Sequence, residues 1–119
     1  MRIQQMIDEI RRRPDAGRIG MILSHVGLVR ESSREGRQVS ELTVKVDHAR
    51  LQALIEKEKQ APGIVDIRVE IEEGRPLALG DEIMRLVVAG DIRENVIAAL
   101  ERTLTAIKTE ATSKTEVYV

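Results

Sequence analysis

Near the end of this 119-residue chain, "IKTEATSKTE" places Lys108 and Lys114 on either side of a short polar stretch that extends a helix poorly. Two amines so placed can handle an anionic substrate, or one of them can form a covalent bond. The simpler reading is dipole compensation, because a helix C-terminus attracts positive charge. Arg30 closes "GLVR", where a strand meets a loop, and Arg93 falls in the first turn of a long helix. A cation in a first turn opposes the helix dipole, so Arg93 needs another reason to stand there. An anion held by the free N–H groups of that turn and a guanidinium fork is one such reason. A solvated surface arginine is the alternative.

Other chemistries find little support. The chain has no cysteine, which removes disulfides, thiolate metal sites and a thiol nucleophile. His25 and His48 lie on different elements without further ligands at metal spacing. His25, in an apolar strand, reads as a satisfied buried or half-buried histidine, and His48 as solvated. There is no phosphate-binding glycine loop, serine triad or metal-ligand cluster, and no cofactor is expected. A hydrophobic share of 42% and a charged share of 33% fit a folded globular chain. The one aromatic residue is a tyrosine, so the core is aliphatic and stacking platforms for single-stranded nucleic acid are lacking. A net charge of −1 gives no global field for polyanions. With no bilayer-length apolar run and no signal-peptide core, a soluble cytoplasmic protein is expected, with neither membrane nor nucleic acid as partner.

The elements that must position these residues follow from periodicity. "IQQMIDEIRRR" has Ile3, Met6, Ile7 and Ile10 at helical spacing and ends in arginines before Pro14. The arginines read as cations finishing a helix rather than as a nucleic-acid patch. Residues 19–26 read as a buried strand, the polar loop 31–39 as a mobile connection, and "SELTVKVD" as the second arm of a long hairpin. Asp47 caps a helix through "HARLQALIEKEK", with Leu51, Leu54 and Ile55 inward. In "IVDIRVEIE", Val65, Ile67, Val69 and Ile71 face one way and Asp66, Arg68, Glu70 and Glu72 the other, as in a half-buried strand. The turn-rich "GRPLALGDE" leads into the strand "IMRLVVA". Asp91 and Glu94 read as a capping box opening the last helix, whose apolar positions are Val96, Ile97, Leu100, Leu104 and Ile107. A final strand is expected at Val117–Val119. The order predicts one α+β domain over residues 1–119, with three helices and a mixed or antiparallel sheet.

From "GMILSHVGLVR" to "KTEATSKTE" the chain resembles the large, catalytic subunit of molybdopterin synthase, the MoaE family. Gly20, Gly27, Val29 and Arg30 match that family's "GAVVxFxGxVR", and Leu77, Gly80 and Asp81 its "L-x-x-G-D" turn. Lys108 and Lys114 fall on the two lysines of "K-x-x-x-P-x-W-K-x-E" once one residue is deleted between them, and Glu116 approximates the acid. The resemblance implies a hammerhead-like fold and a homodimer at the centre of a heterotetramer with a small ubiquitin-like sulfur carrier (MoaD-like). It also implies sulfur transfer from the carrier's thiocarboxylate to a cyclic pyranopterin phosphate. On that resemblance Lys108 and Lys114 are the catalytic residues, and Arg30 and Arg93 bind the phosphate or the incoming tail. Ile92 stands where the family commonly has histidine, and the Pro and Trp between the lysines are absent, implying a wider, less hydrophobic channel. A non-catalytic dimeric binding module is the alternative, and an unrelated anion-binding domain a third.

Overall fold

The computed structural model describes residues 2–119. Its order is α1 (Arg2–Arg11), β1 (Met21–Leu28), β2 (Val39–Val46), α2 (His48–Lys59), β3 (Ile64–Ile71), β4 (Leu77–Ala78), β5 (Glu82–Gly90), α3 (Arg93–Ala106) and β6 (Thr112–Tyr118). This is the expected α+β class, but the strands form two antiparallel sheets, ordered β1-β5-β3 and β4-β2-β6, rather than one. Each sheet has its own core, and the molecule is correspondingly long, 49 × 27 × 24 Å.

The central strand β5 explains the larger sheet. Its apolar run is buried on both faces: Leu86 and Val88 pack with α2 and α3, Val87 and Ala89 with Met6 and Ile10 of α1. Asp47 caps α2 as expected, its carboxylate accepting from the Arg50 N–H at 3.1 Å. Exposed His48 pairs with Glu73 at 2.7 Å. His25 is half-buried, on an edge strand whose Val26 and Leu28 stand open, so residues 19–26 do not form the buried strand expected.

Three further expectations are corrected. β1 and β2 are not hairpin arms, because the chain leaves the first sheet at Leu28 and Val29 enters the core of the second with Leu42, Val44 and Leu77. The alternation of β3 fails at its start, where the register with β5 shifts between Ile64 and Asp66. That bulge turns Ile64 inward in place of Val65, while Ile67, Val69 and Ile71 keep their predicted face. The opposite face is not solvated. Asp66 is buried against Arg68 at 2.9 Å and Arg13 at 3.4 Å, so the last of the three arginines 11–13 ties the end of α1 to the sheet. Finally, Asp91 and Glu94 do not form a capping box. The N-cap is Ile92, one residue later, and the Asp91 carboxylate accepts instead from the Ile92 N–H and the Asn95 amide. These bonds, the Asn95 one foremost, hold the Asp91 carboxyl below its ordinary pKa.

Candidate active site

Lys108 and Lys114 do not share a helix end. α3 stops at Ala106, and Ile107–Ala111 form a single turn of π-helix. Ile107 and Ala111 both turn into the larger core, leaving Lys108 exposed between them. The Ile107 carbonyl accepts from both the backbone N–H and the hydroxyl of Thr112, the latter at 3.1 Å, which closes the turn. The strand then begins at Thr112, well before the expected Val117. β2 supplies its ladder partner, pairing Thr112 with Val46, Lys114 with Val44 and Glu116 with Leu42. Strand periodicity puts Thr112, Lys114 and Glu116 on one face, and that face looks onto the same space as Lys108.

Arg30 reaches the same space from the connection after β1. The neighbouring Val29 is pinned to the Leu77–Asp81 turn in both directions, its N–H donating to the Asp81 carbonyl at 3.0 Å and its carbonyl accepting from the Gly80 N–H at 2.8 Å. Gly80 has φ +85°, a left-handed conformation that glycine adopts without a Cβ clash. The two sequence features that matched the family thus form one local structure that fixes the base of Arg30.

Between these walls lies a cavity of about 720 Å³, with Val29, Val39 and Leu42 as its apolar floor and Arg30, Lys108 and Lys114 as cations. Glu35 and Glu116 also line it, yet among the described residues none of these three cations has a carboxylate within ion-pair distance. The Lys108 ammonium is consequently pushed below the ordinary lysine pKa, first by desolvation and then by the positive charges of Arg34, Lys114 and Arg30. An open, water-accessible space lined by unpaired cations can take an anion, and a lysine of lowered pKa can offer its neutral amine.

Arg93 does not join them. It is the first residue of α3, and Lys108 lies beyond the other end, a helix length of about 21 Å away at 1.5 Å per residue. Its side chain is 80% exposed, and among the described residues its one ion pair is with Glu94, at 3.5 Å. Sequence reasoning also missed a cation of the cavity, Arg34, because nothing in "RESSREGRQ" says which way that loop folds.

A second depression, of about 760 Å³, is lined by Glu70, Glu72, Glu82 and Arg85 among others. Buried Arg85 donates to all three of these carboxylates, at 2.7–3.1 Å, so its charges satisfy one another. Among the described residues no group of His, Cys, Asp or Glu side chains is placed to hold a metal ion, and no helix is long and apolar enough to cross a membrane.

Comparison with known proteins agrees with this geometry. The fold is similar to a molybdopterin biosynthesis MoaE protein from Burkholderia ambifaria MC40-6, with TM-score 0.76 and 22% identity over 98% of this chain and 81% of that one. Molybdopterin cofactor biosynthesis protein E from Burkholderia multivorans ATCC 17616 matches with TM-score 0.75 and 25% identity over 98% of this chain and 82% of that one. A chain from the complex of subunits 1 and 2 of the molybdopterin-converting factor of Helicobacter pylori 26695 gives 0.73 and 19%, over 99% and 80% of the two chains. The search of curated proteins returned no match. A family model described as MoaE protein matches residues 1–110, nearly the whole sequence, and the chain belongs to the MoaE family.

Proposed function

We propose that this chain is the catalytic subunit of molybdopterin synthase, moving sulfur from a thiocarboxylated ubiquitin-like carrier to a cyclic pyranopterin phosphate in molybdenum cofactor biosynthesis. The observation that carries this reading is the convergence of Lys108, Lys114 and Arg30, unpaired, on one cavity in a chain of this family. The Helicobacter pylori relative, whose structure is a complex of subunits 1 and 2, supports a small partner protein.

In this reading the carrier's C-terminal Gly-Gly tail enters the cavity as a thiocarboxylate. Its sulfur bonds to a carbon of the pterin substrate as a carbon–oxygen bond there breaks and the oxygen leaves protonated. The acyl–sulfur bond then breaks, leaving sulfur on the pterin as a thiolate. The acyl carbon passes to water, directly or after a stay on the Lys108 amine as an amide that water then cleaves, and the tail leaves as a carboxylate. Negative charge builds on the acyl oxygen during each cleavage, where Lys108 and Lys114 stabilise it. Arg30 offers a guanidinium fork to the phosphate.

Assembly as a homodimer fits the open edge strand β1 with exposed Val26 and Leu28, and the exposed Ile92 and Ile97 that flank Arg93 on α3. Arg93, remote from the cavity of its own chain, then has a role only in the site of a second copy. The enzyme works in the cytoplasm, where reducing conditions preserve a thiocarboxylate.

Reconstitution with thiocarboxylated carrier and cyclic pyranopterin phosphate, followed by mass spectrometry of the pterin, tests the reading. Two sulfur atoms per pterin are expected. A folded wild-type protein that binds carrier yet transfers no sulfur would overturn it in favour of a non-catalytic binding module. Lys108→Arg separates the roles of the lysine, because arginine keeps the charge but forms no amide. A wild-type rate in that variant leaves Lys108 as a charge only.

A further inference from the structure

The segment 31–39 is a compact turn rather than an open connection. Ser32 and Gln38 form a bridge, and the Val39 N–H donates to the Glu31 carbonyl at 2.8 Å. Ser33 is buried and fastens the tip three times. Its N–H donates to the Arg37 carbonyl at 2.8 Å, its hydroxyl accepts from the Arg37 N–H at 3.1 Å, and its carbonyl accepts from the Gly36 N–H at 3.0 Å. Gly36 has φ +87°, the left-handed conformation that closes such a turn. The loop has no apolar anchor before Val39, and buried Ser33 serves in that place.

The two arginines of this turn have different fates. Arg37 lies over the Tyr118 ring, 3.7 Å from its centre, and so binds the turn to β6. Arg34, at the tip, lines the cavity on the side where its charge acts on Lys108. Among the described residues it has neither a carboxylate within ion-pair distance nor an aromatic face. Arg34, Arg30, Lys108 and Lys114 thus carry four positive charges around the cavity against the two carboxylates of Glu35 and Glu116. An unpaired guanidinium held toward other cations by a tight turn is electrostatically unfavourable without a counter-charge. Bound anion supplies that counter-charge.

We propose that Arg34 is a further substrate-binding residue of this site, a second guanidinium that, with Arg30, grips the phosphate group of the substrate. The substrate's identity rests on the function proposed above; the phosphate-binding role does not. Arg34 touches no acyl carbon in this scheme and moves no proton.

Calorimetric titration of inorganic phosphate at low ionic strength tests the assignment on the wild-type protein, Arg34→Ala, Arg34→Lys and Arg12→Ala. Arg12 is exposed outside the cavity and controls for net charge. Loss of a charge-assisted bond predicts that Arg34→Ala weakens phosphate binding by about tenfold or more. Arg34→Lys should lie between, having charge but no fork, and Arg12→Ala should match the wild type. In the reconstituted reaction Arg34→Ala should raise KM for the pterin while leaving kcat on the alkaline plateau within about twofold, any limb set by Lys108 moving to higher pH. Phosphate affinity in Arg34→Ala within about twofold of wild type, or an equal loss in Arg12→Ala, overturns the assignment. The same holds if the wild-type protein fails to bind phosphate. If phosphate binding falls in Arg34→Ala while no variant transfers sulfur, Arg34 stands and the catalytic reading fails. If sulfur transfer proceeds with phosphate affinity and KM unmoved by Arg34→Ala, the catalytic reading stands and Arg34 fails.

Discussion

Lys108 is set apart from a helix-end lysine by its surroundings. Desolvation, with Arg34, Lys114 and Arg30 behind it, lowers its pKa, so the neutral amine is present at lower pH than in a solvated lysine. If the amine accepts the acyl group, kcat rises with pH through this lowered value. Lys114→Ala removes one of the neighbouring charges and should move that rising limb to higher pH, which a kcat profile across the alkaline range would show. A limb that stays in place would assign it to another group. Lys108→Ala should abolish transfer while changing unfolding free energy by no more than about 0.5 kcal/mol, because the side chain is exposed and unpaired. Denaturant titration beside the activity assay checks both halves. The linkage sign is small but defined. Folded Lys108 binds fewer protons than the unfolded chain between its lowered value and the ordinary lysine value, so this residue adds stability as pH rises through that window.

At the scale of elements, the π turn decides where the first amine stands. Ile107 and Ala111, four residues apart, meet the core on one face, and the wider π turn between them hands the chain directly to β6 at Thr112. Thr112 closes that turn through its hydroxyl, so Thr112→Val should cost about 1 kcal/mol for the lost hydrogen bond and slow transfer by shifting Lys108. Urea unfolding and single-turnover rates measure the two effects, and an unchanged rate would deny the turn a positioning role. The misplaced capping box is instructive in the same way. "DIRE" has the right spacing, but Asp91 lies beside Gly63 and is bonded to Asn95, and the helix starts one residue later.

For the whole molecule, the buried arginine of β5 joins elements that the sequence keeps apart. Arg85 holds Glu70, Glu72 and Glu82, while Arg2 of α1 reaches Glu70 from outside. Hydrogen bonds from Arg85 and Arg75 lower the Glu72 pKa, and those from Arg2 and Arg85 lower that of Glu70 against the opposing effect of burial. Depressed carboxylates contribute stability that is present above the ordinary glutamate value and lost as pH falls through the lowered folded values. Acid unfolding followed by circular dichroism should therefore depend on this cluster. Arg85→Ala should cost about 1–3 kcal/mol at neutral pH by removing a buried guanidinium and leaving three partly exposed acids without their shared partner. A loss under about 1 kcal/mol would mean that water replaces the guanidinium. The exposed apolar residues on β1 and α3 lead to an expected dimer in light scattering at micromolar concentration, and a stable monomer would contradict it.

Local periodicity determined much of this protein by itself. The helices and the Asp47 cap depend on neighbours a few residues apart, where spacing alone selects the buried face. The aliphatic core follows from composition, and the family resemblance from the order of motifs along the chain. Arg30 and the two lysines were legible for a related reason, since their motifs are short and ordered along the chain. Tertiary structure decided the rest. Whether β1 pairs with β2 or β5 depends on where Val29 finds its core, a choice made by residues distant in sequence. Asp66 looked solvated because its partner Arg13 comes from the far end of α1. Lys114 became a strand residue because β2 offered a ladder, overriding the weak local preference of "TSKTE". Arg34 entered the cavity and Arg93 stayed out of it for the same reason: charge has no periodicity, and only the folded chain fixes which charges share a space.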